Sequence, residues 1–193
     1  MAGRGRDNRP RGWLAVGARP APSCGVTSAA LATPADLPTL RRLLQACADG
    51  LAADGFRNWI DFDVGASLER DLAEREVWLH REAGRILGTW TIGLRPLRPY
   101  PPGFWPPDEA PILWLNRLAI DPAAQRRGLG AHCMRDAEAR ARALGCGAIR
   151  LDYLSANEAL GRFYHGLGYE PVGAVARGAW TFAACEKRLP PHD

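Results

Sequence analysis

Between residues 112 and 145 the chain passes from a near-continuous apolar segment, ILWLNRLAID, through Gln125-Arg-Arg-Gly128-Leu-Gly130 and into a helical repeat. An apolar run without polar alternation belongs to a strand buried on both faces, in the centre of a sheet. The glycines behind it let the backbone turn tightly, so that successive N–H groups point outward at the start of the helix. Unpaired amides and the positive end of the helix dipole favour an anion such as a pyrophosphate there. Arg126 and Arg127 add positive charge. Taken alone, the motif reads better as a tight turn with two solvated arginines. It is not a Walker loop, because no G-K-[ST] follows, and it lacks the third glycine and the early position of a dinucleotide-binding turn. Cys133, Met134, Ala137, Ala141 and Leu144 form one apolar stripe on the helix, which Gly145 ends. Asp136 with Arg140 and Glu138 with Arg142 are spaced as i,i+4 pairs for its wet side.

Other elements alternate around this unit. CGVTSAALA reads as a short strand, and Thr33-Pro34 starts a helix whose Leu37, Leu40, Leu44 and Leu51 share a face. GFRNWIDFDVG is an irregular or short helical connection, followed by a helix over 66–75. EVWLHRE and RILGTWTIGL form a hairpin across Ala83-Gly84. Residues 95–111 are a long proline-rich loop, a type usually functional or disordered. GAIRLDYLS is a strand, and Ser155-Ala-Asn-Glu158 is spaced as a capping box opening a helix to His165. Strands at 169–176 and 180–189 close the chain around a turn at Arg177-Gly178. The expected fold is mixed α/β: one central, mostly antiparallel sheet flanked by helices.

Charge narrows the partners. The net +4 resides wholly in residues 1–22, where five arginines face Asp7; the remainder balances. That Arg/Gly/Pro-rich segment reads as a disordered basic tail, with residues 23–193 as a single domain. Nucleic acid is an expected partner only, if at all, through the tail. No apolar run approaches the roughly 18 residues of a spanning helix, and the start lacks a secretory signal's apolar core, so a cytoplasmic protein without membrane contact is expected. Five cysteines without a C-x-x-C pair read as buried small hydrophobes, and the four histidines show no metal spacing; no metal site is expected.

Two signatures occur together: Q-x-x-G-x-G at Gln125–Gly130 and N-x-x-A/L-x-x-F-Y-x-x-x-G-Y at Asn157–Tyr169. With the strands before them, they resemble the acetyl-CoA-binding half of the GCN5-related N-acetyltransferase (GNAT) family, over about residues 112–170. NRLAIDPAAQRRGLG is most similar to bacterial ribosomal-protein alanine N-acetyltransferases. The resemblance implies an acetyl-CoA cosubstrate lying between two splayed strands. By position it assigns backbone hydrogen bonds to the acyl carbonyl and pantetheine arm to Leu118, Ala119 and Ile120. It gives the pyrophosphate to the main chain of Arg126, Arg127, Gly128, Leu129, Gly130 and Ala131, and the arm to Asn157. Tyr164 would be the general acid at the sulfur. Asp152 stands where the alanine-acetyltransferase relatives carry a catalytic glutamate, one methylene shorter and so suited to acting through water. Its other reading is a strand-edge acid paired with an arginine. Asn116 and Arg117 occupy the central-strand position where other members carry an acid.

Phe56, Trp59, Phe62, Tyr100, Phe104 and Trp105 lie on the irregular segments expected at the acceptor side, where Asp61, Asp63, Asp108 and Glu109 would attract an amine. Trp78, Trp90, Trp114 and Trp180 lie in strands and read as core. At neutral pH a lysine of pKa about 10.4 costs roughly 4 kcal/mol to deprotonate, against about half a kcal/mol for a terminal amine. A weak base therefore suits low-pKa amines. The reading that results is an N-acetyltransferase using direct transfer to an amine, a small molecule ranked above a peptide N-terminus because the proline-rich loop would narrow a peptide groove. A peptide α-amine acetyltransferase and a non-catalytic acyl-CoA-binding module are the alternatives, and a homodimer is left open.

Overall fold

The computed structural model describes residues 28–190; the basic segment 1–22, Cys24 and His192 lie outside the described residues. Strand β1 (Ser28–Leu31) leads through a 3-10 turn at Pro34–Asp36 into α1 (Leu37–Ala53), then α2 (Asn58–Asp61) and α3 (Leu68–Glu74). Strands β2 (Glu76–Glu82), β3 (Arg85–Gly93) and β4 (Ile112–Ile120) precede α4 (Leu129–Ala143). Then come β5 (Ala148–Leu154), α5 (Glu158–Gly166), β6 (Glu170–Arg177) and β7 (Trp180–Arg188). Among the described residues the seven strands share one sheet in the order β1-β2-β3-β4-β5-β7-β6. Every pairing is antiparallel except β4 with β5.

Alternation along the strands divides two cores. Val77 and Leu79 join α1 and α3 through Leu40, Leu44, Cys47 and Leu68, whereas Trp78 packs on the other core. There Trp90, Ile92, Leu113, Leu115, Ile149 and Leu151 meet α4 and α5 through Met134, Ala137, Phe163 and Tyr164. The α1 and α4 stripes are thus the expected ones, with Leu37 and Leu144 only partly buried.

Several local expectations are corrected. Asn157, not Ser155, caps α5: its Oδ1 accepts from Leu160 N–H at 3.2 Å, so the helix starts later than the Ser155/Glu158 spacing suggests. Glu138 is buried, not wetted; besides Arg142 it takes Lys187 Nζ at 2.8 Å. Arg140 bypasses Asp136 and forks onto Glu76 at 2.6 and 2.9 Å, tying α4 to β2. Arg177 is the last residue of β6, so the turn follows it. Among the described residues the first strand is Ser28–Leu31, ending before Ala32, and α3 covers less than 66–75. The long loop is ordered by guanidinium groups. Prolines leave carbonyls without partner N–H groups nearby. Arg75 donates to the Arg95 and Pro96 carbonyls, Arg177 to Pro99 and Arg150 to Pro106, at 2.6–3.2 Å.

Candidate active site

The parallel pairing of β4 with β5 lasts three residues, ending at Trp114 opposite Arg150. Beyond it β4 is bent by a bulge. On β3 the register passes from Thr89 opposite Ala119 to Thr91 opposite Asn116, which leaves an extra residue on β4. Arg117 sits there with φ +51°, a left-handed conformation costing about 1–2 kcal/mol outside glycine. Its side chain offsets that cost: the guanidinium pairs with Asp71, which is 1% exposed, and donates to Ser67 Oγ at 2.6 Å. The strands therefore splay, and from Leu115 onward the β5-facing edge of β4 has no strand beside it. Asp121 N–H donates to Leu87 O, so the antiparallel alternation turns the Ile120 and Leu118 backbones away from β3, toward the gap. The Ile120 carbonyl already accepts from Gln125 Nε2 at 3.1 Å and Cys47 Sγ at 3.3 Å. Ala119 instead is registered with Thr89, its methyl in the α1 core.

A cavity of about 380 Å³ fills the gap and continues beneath the α1–α3 connection. Leu118, Ile120, Asn157 and Tyr164 line its inner part; Trp59, Phe62, Arg98, Tyr100, Asp152 and Arg177 line the rest. The Tyr164 ring lies 5.0–6.0 Å from those of Phe163, Tyr153 and Tyr169. This burial, with help from nearby Cys185 and Asp152, raises the pKa of its hydroxyl well above the tyrosine value. Asn157 is 2% exposed, and its Nδ2 has no hydrogen-bond partner, nor has Asn116 Nδ2.

Asp152 lies on β5, beside an arginine and on the cavity wall. Its Oδ2 accepts from Tyr100 O–H at 2.6 Å and lies 3.6 Å from Arg177 Nη2, yet the residue lines the cavity. Arg177 also stacks on the Tyr100 ring at 4.7 Å. Burial and the Asp152 carboxylate push the Tyr100 pKa strongly up, keeping that hydroxyl a donor. Arg177, Arg98 and the Tyr100–Asp152 link escaped the sequence reading. The partners lie 52 and 25 residues from Asp152 with no periodic signal connecting them; only the aromatic character of Tyr100 was visible.

The glycine turn stands at the start of α4. Gly128 caps the helix at φ +82° with nothing within 4 Å of where a Cβ would sit, and Arg126 is also left-handed at φ +61°. Among the described residues, no hydrogen bond is made by the backbone N–H groups of Arg126, Arg127, Gly128, Leu129, Gly130 or Ala131. The Arg127 side chain turns to Glu82 at 2.7 Å.

Of the remaining candidates, Asp63 lines the cavity, while Asp61 accepts from Trp180 Nε1 and Asp108 is paired with Arg188. Phe104 and Trp105 pack with Tyr100 and Trp114 in one aromatic cluster behind it, so Trp114 supports the loop as well as the core. Phe56 and Glu109 stay outside the lining. Among the described residues no group of three His, Cys, Asp or Glu could hold a metal ion, and no helix is long and apolar enough to cross a membrane.

Solved structures share this architecture. A GNAT-family acetyltransferase from Streptococcus agalactiae superposes with TM-score 0.69 at 18% identity, covering 85% of this chain and 96% of its own. The PaiA N-acetyltransferase from Thermoplasma acidophilum, in complex with coenzyme A, gives 0.64 at 15%, covering 84% and 99%. A ribosomal-protein-alanine N-acetyltransferase from Brucella melitensis gives 0.59 at 18%, again covering 84% and 99%. At such identities these likenesses speak for the fold. No curated protein has a significant sequence match to the chain. The sequence itself matches the Acetyltransferase (GNAT) family over residues 39–169, from α1 through the splayed strands and the glycine turn to the end of α5. Because that match spans more than half of its length, the chain belongs to the GNAT acetyltransferase family.

Proposed function

We propose that this protein transfers the acetyl group of acetyl-CoA directly to a primary amine of a small molecule. The observation that carries this reading is the gap between β4 and β5. Its lining reaches Gln125, next in the chain to six backbone N–H groups without partners among the described residues, and holds the buried, unpartnered Asn157 Nδ2. A row of free amides at a helix start suits a pyrophosphate, and a buried unsatisfied amide suits a carbonyl of the pantetheine arm. The backbones of Leu118 and Ile120 face the same gap and suit the rest of the arm; Ala119 contributes through the sheet that holds them.

Bound acetyl-CoA supplies the activated thioester carbonyl. A β4 backbone N–H stabilises the negative charge that develops on its oxygen. The amine nitrogen forms the new bond to the acyl carbon, the C–S bond breaks, and its electron pair stays on sulfur. Asp152, aligned by Tyr100 and Arg177, takes the amine's proton directly or through water. Tyr164 faces the departing sulfur. For a thiol near pKa 8.5, full proton transfer from a hydroxyl above 10 is uphill by more than about 2 kcal/mol. Tyr164 therefore acts as a hydrogen-bond donor to the thiolate, which collects its proton from water.

A peptide α-amine is the second acceptor reading, favoured by the similarity of residues 116–130 to ribosomal-protein alanine acetyltransferases. The pinned loop, which brings Leu97, Arg98 and Tyr100 onto the cavity, supports the smaller acceptor. Calorimetric titration and thiol-release assays test the proposal together. Asn157→Ala weakens acetyl-CoA binding about tenfold, the loss of roughly one hydrogen bond. Tyr164→Phe leaves binding intact and lowers kcat about 10- to 100-fold, at or below the low end for acid catalysis. Unchanged turnover in Tyr164→Phe removes its role, and absence of acetyl-CoA binding by the wild type removes the proposal.

A further inference from the structure

The charges on the acceptor wall do not match a simple cationic amine. Four arginines line the cavity, Arg70, Arg98, Arg117 and Arg177, against the two acids Asp63 and Asp152. Two of the arginines are committed. Arg117 is neutralised by Asp71 and held by Ser67, and Arg177 lies beside Asp152 while donating to the Pro99 carbonyl. Arg98 is different. It is partly buried and laid over the Phe62 ring at 4.2 Å, and among the described residues it makes neither an ion pair nor a hydrogen bond. Burial, and then the nearby Arg177 charge, lower its pKa from the ordinary arginine value, with the Asp152 carboxylate acting the other way. A partly desolvated, unpaired guanidinium is unfavourable unless an anion arrives to meet it.

We infer that the acceptor carries a carboxylate beside its amine, as a free amino acid does, and that Arg98 receives this carboxylate. The inference rests on the acetyl-transfer reading above and names its substrate class. Arginine's planar fork matches a carboxylate in two parallel hydrogen bonds. The same contact assists the chemistry. A carboxylate next to an ammonium favours the protonated, unreactive amine, and pairing that carboxylate with Arg98 withdraws this support. Around it, Trp59, Phe62 and Phe182 offer apolar surface for a side chain, and the buried, unpartnered Asn58 Oδ1 offers an acceptor for the amine. Of the loop acids expected to draw in the amine, Asp61 and Asp108 are occupied and Asp63 remains on the wall, where four arginines outnumber the two acids.

The test compares free amino acids with their C-terminal amides and with the matching decarboxylated amines, by thiol release from acetyl-CoA. Wild type is expected to prefer at least one free amino acid over its amide by tenfold or more in kcat/KM. Arg98→Gln should collapse that preference to within about threefold, chiefly by raising KM, while acetyl-CoA binding by calorimetry stays unchanged. Arg98→Lys, which keeps the charge without the fork, should retain part of it. Amides or simple amines that serve as well as the acids overturn the inference and leave acetyl transfer standing, as does a preference that survives in Arg98→Gln. No acetyl-CoA binding, or no release with any amine, overturns both.

Discussion

Asp152 shows how far a single residue can be read from its place in the chain. Its position on a strand marked it as either a base or an arginine-paired acid; the geometry gives it an arginine neighbour, with Tyr100 and Arg177 beside one oxygen, and places it on the cavity wall. If the carboxylate takes the acceptor's proton, Asp152→Asn costs most where the acceptor is mostly protonated. The expected loss in kcat is about tenfold near neutral pH, narrowing toward about pH 9 as more amine arrives neutral. A deficit that is constant with pH would assign Asp152 to positioning alone. Tyr164 carries a second pH signature. Because burial raises its pKa, its ionisation adds no falling limb to kcat up to about pH 10, whereas an unshifted tyrosine would start to lose its proton there. Tyr164 and Asn157 were singled out by a motif of fixed spacing, and both line the cavity. The partners of Asp152 were not, since nothing local connects residue 152 with residues 100 and 177.

At the scale of elements, periodicity carried most of the information. The apolar stripes of α1 and α4, the continuous strand β4 and the hairpin at Ala83-Gly84 each follow from a repeat of 3.6 or 2. What failed was the choice of partner. Arg140 had a carboxylate at i−4 in Asp136, but the fold offers Glu76 across the β2–α4 contact, with two charge-assisted bonds in place of one. The bulge at Arg117 was equally hidden, because a left-handed arginine is stabilised only by Asp71 and Ser67 on a different element. The Glu76–Arg140 tie makes a prediction of stability against pH. Its hydrogen bonds to Arg140 lower the Glu76 pKa in the folded state. The stabilisation is therefore fully present above the unfolded carboxylate value, about 4.3, and is lost as pH falls through the lower folded value. Glu76→Gln should lower stability by about 1 kcal/mol or less at neutral pH. Urea titrations should show the two proteins converging under acid; a gap that persists once the wild-type carboxyl is protonated would point to packing and not to charge.

Across the molecule, the sheet, the helices and the pinned loop converge on one cavity that no thiol lines among the described residues. Among the described residues all four cysteines are buried, and burial raises every thiol pKa, to about 12 for Cys47, Cys133 and Cys185. None of them lines the cavity. A thiol that seldom ionises cannot carry an acetyl group between donor and acceptor. The positive, aromatic acceptor wall and the free amides of the glycine turn instead suit two substrates held side by side, with the amine attacking directly. The decisive measurement is rapid mixing of the full chain with acetyl-CoA, following released thiol and intact protein mass, first without and then with a panel of amines. Direct transfer predicts no thiol burst and no added acetyl mass until an amine is present, followed by steady release. A burst equal to the protein concentration, with an acetyl group gained by the chain in the absence of amine, would contradict it.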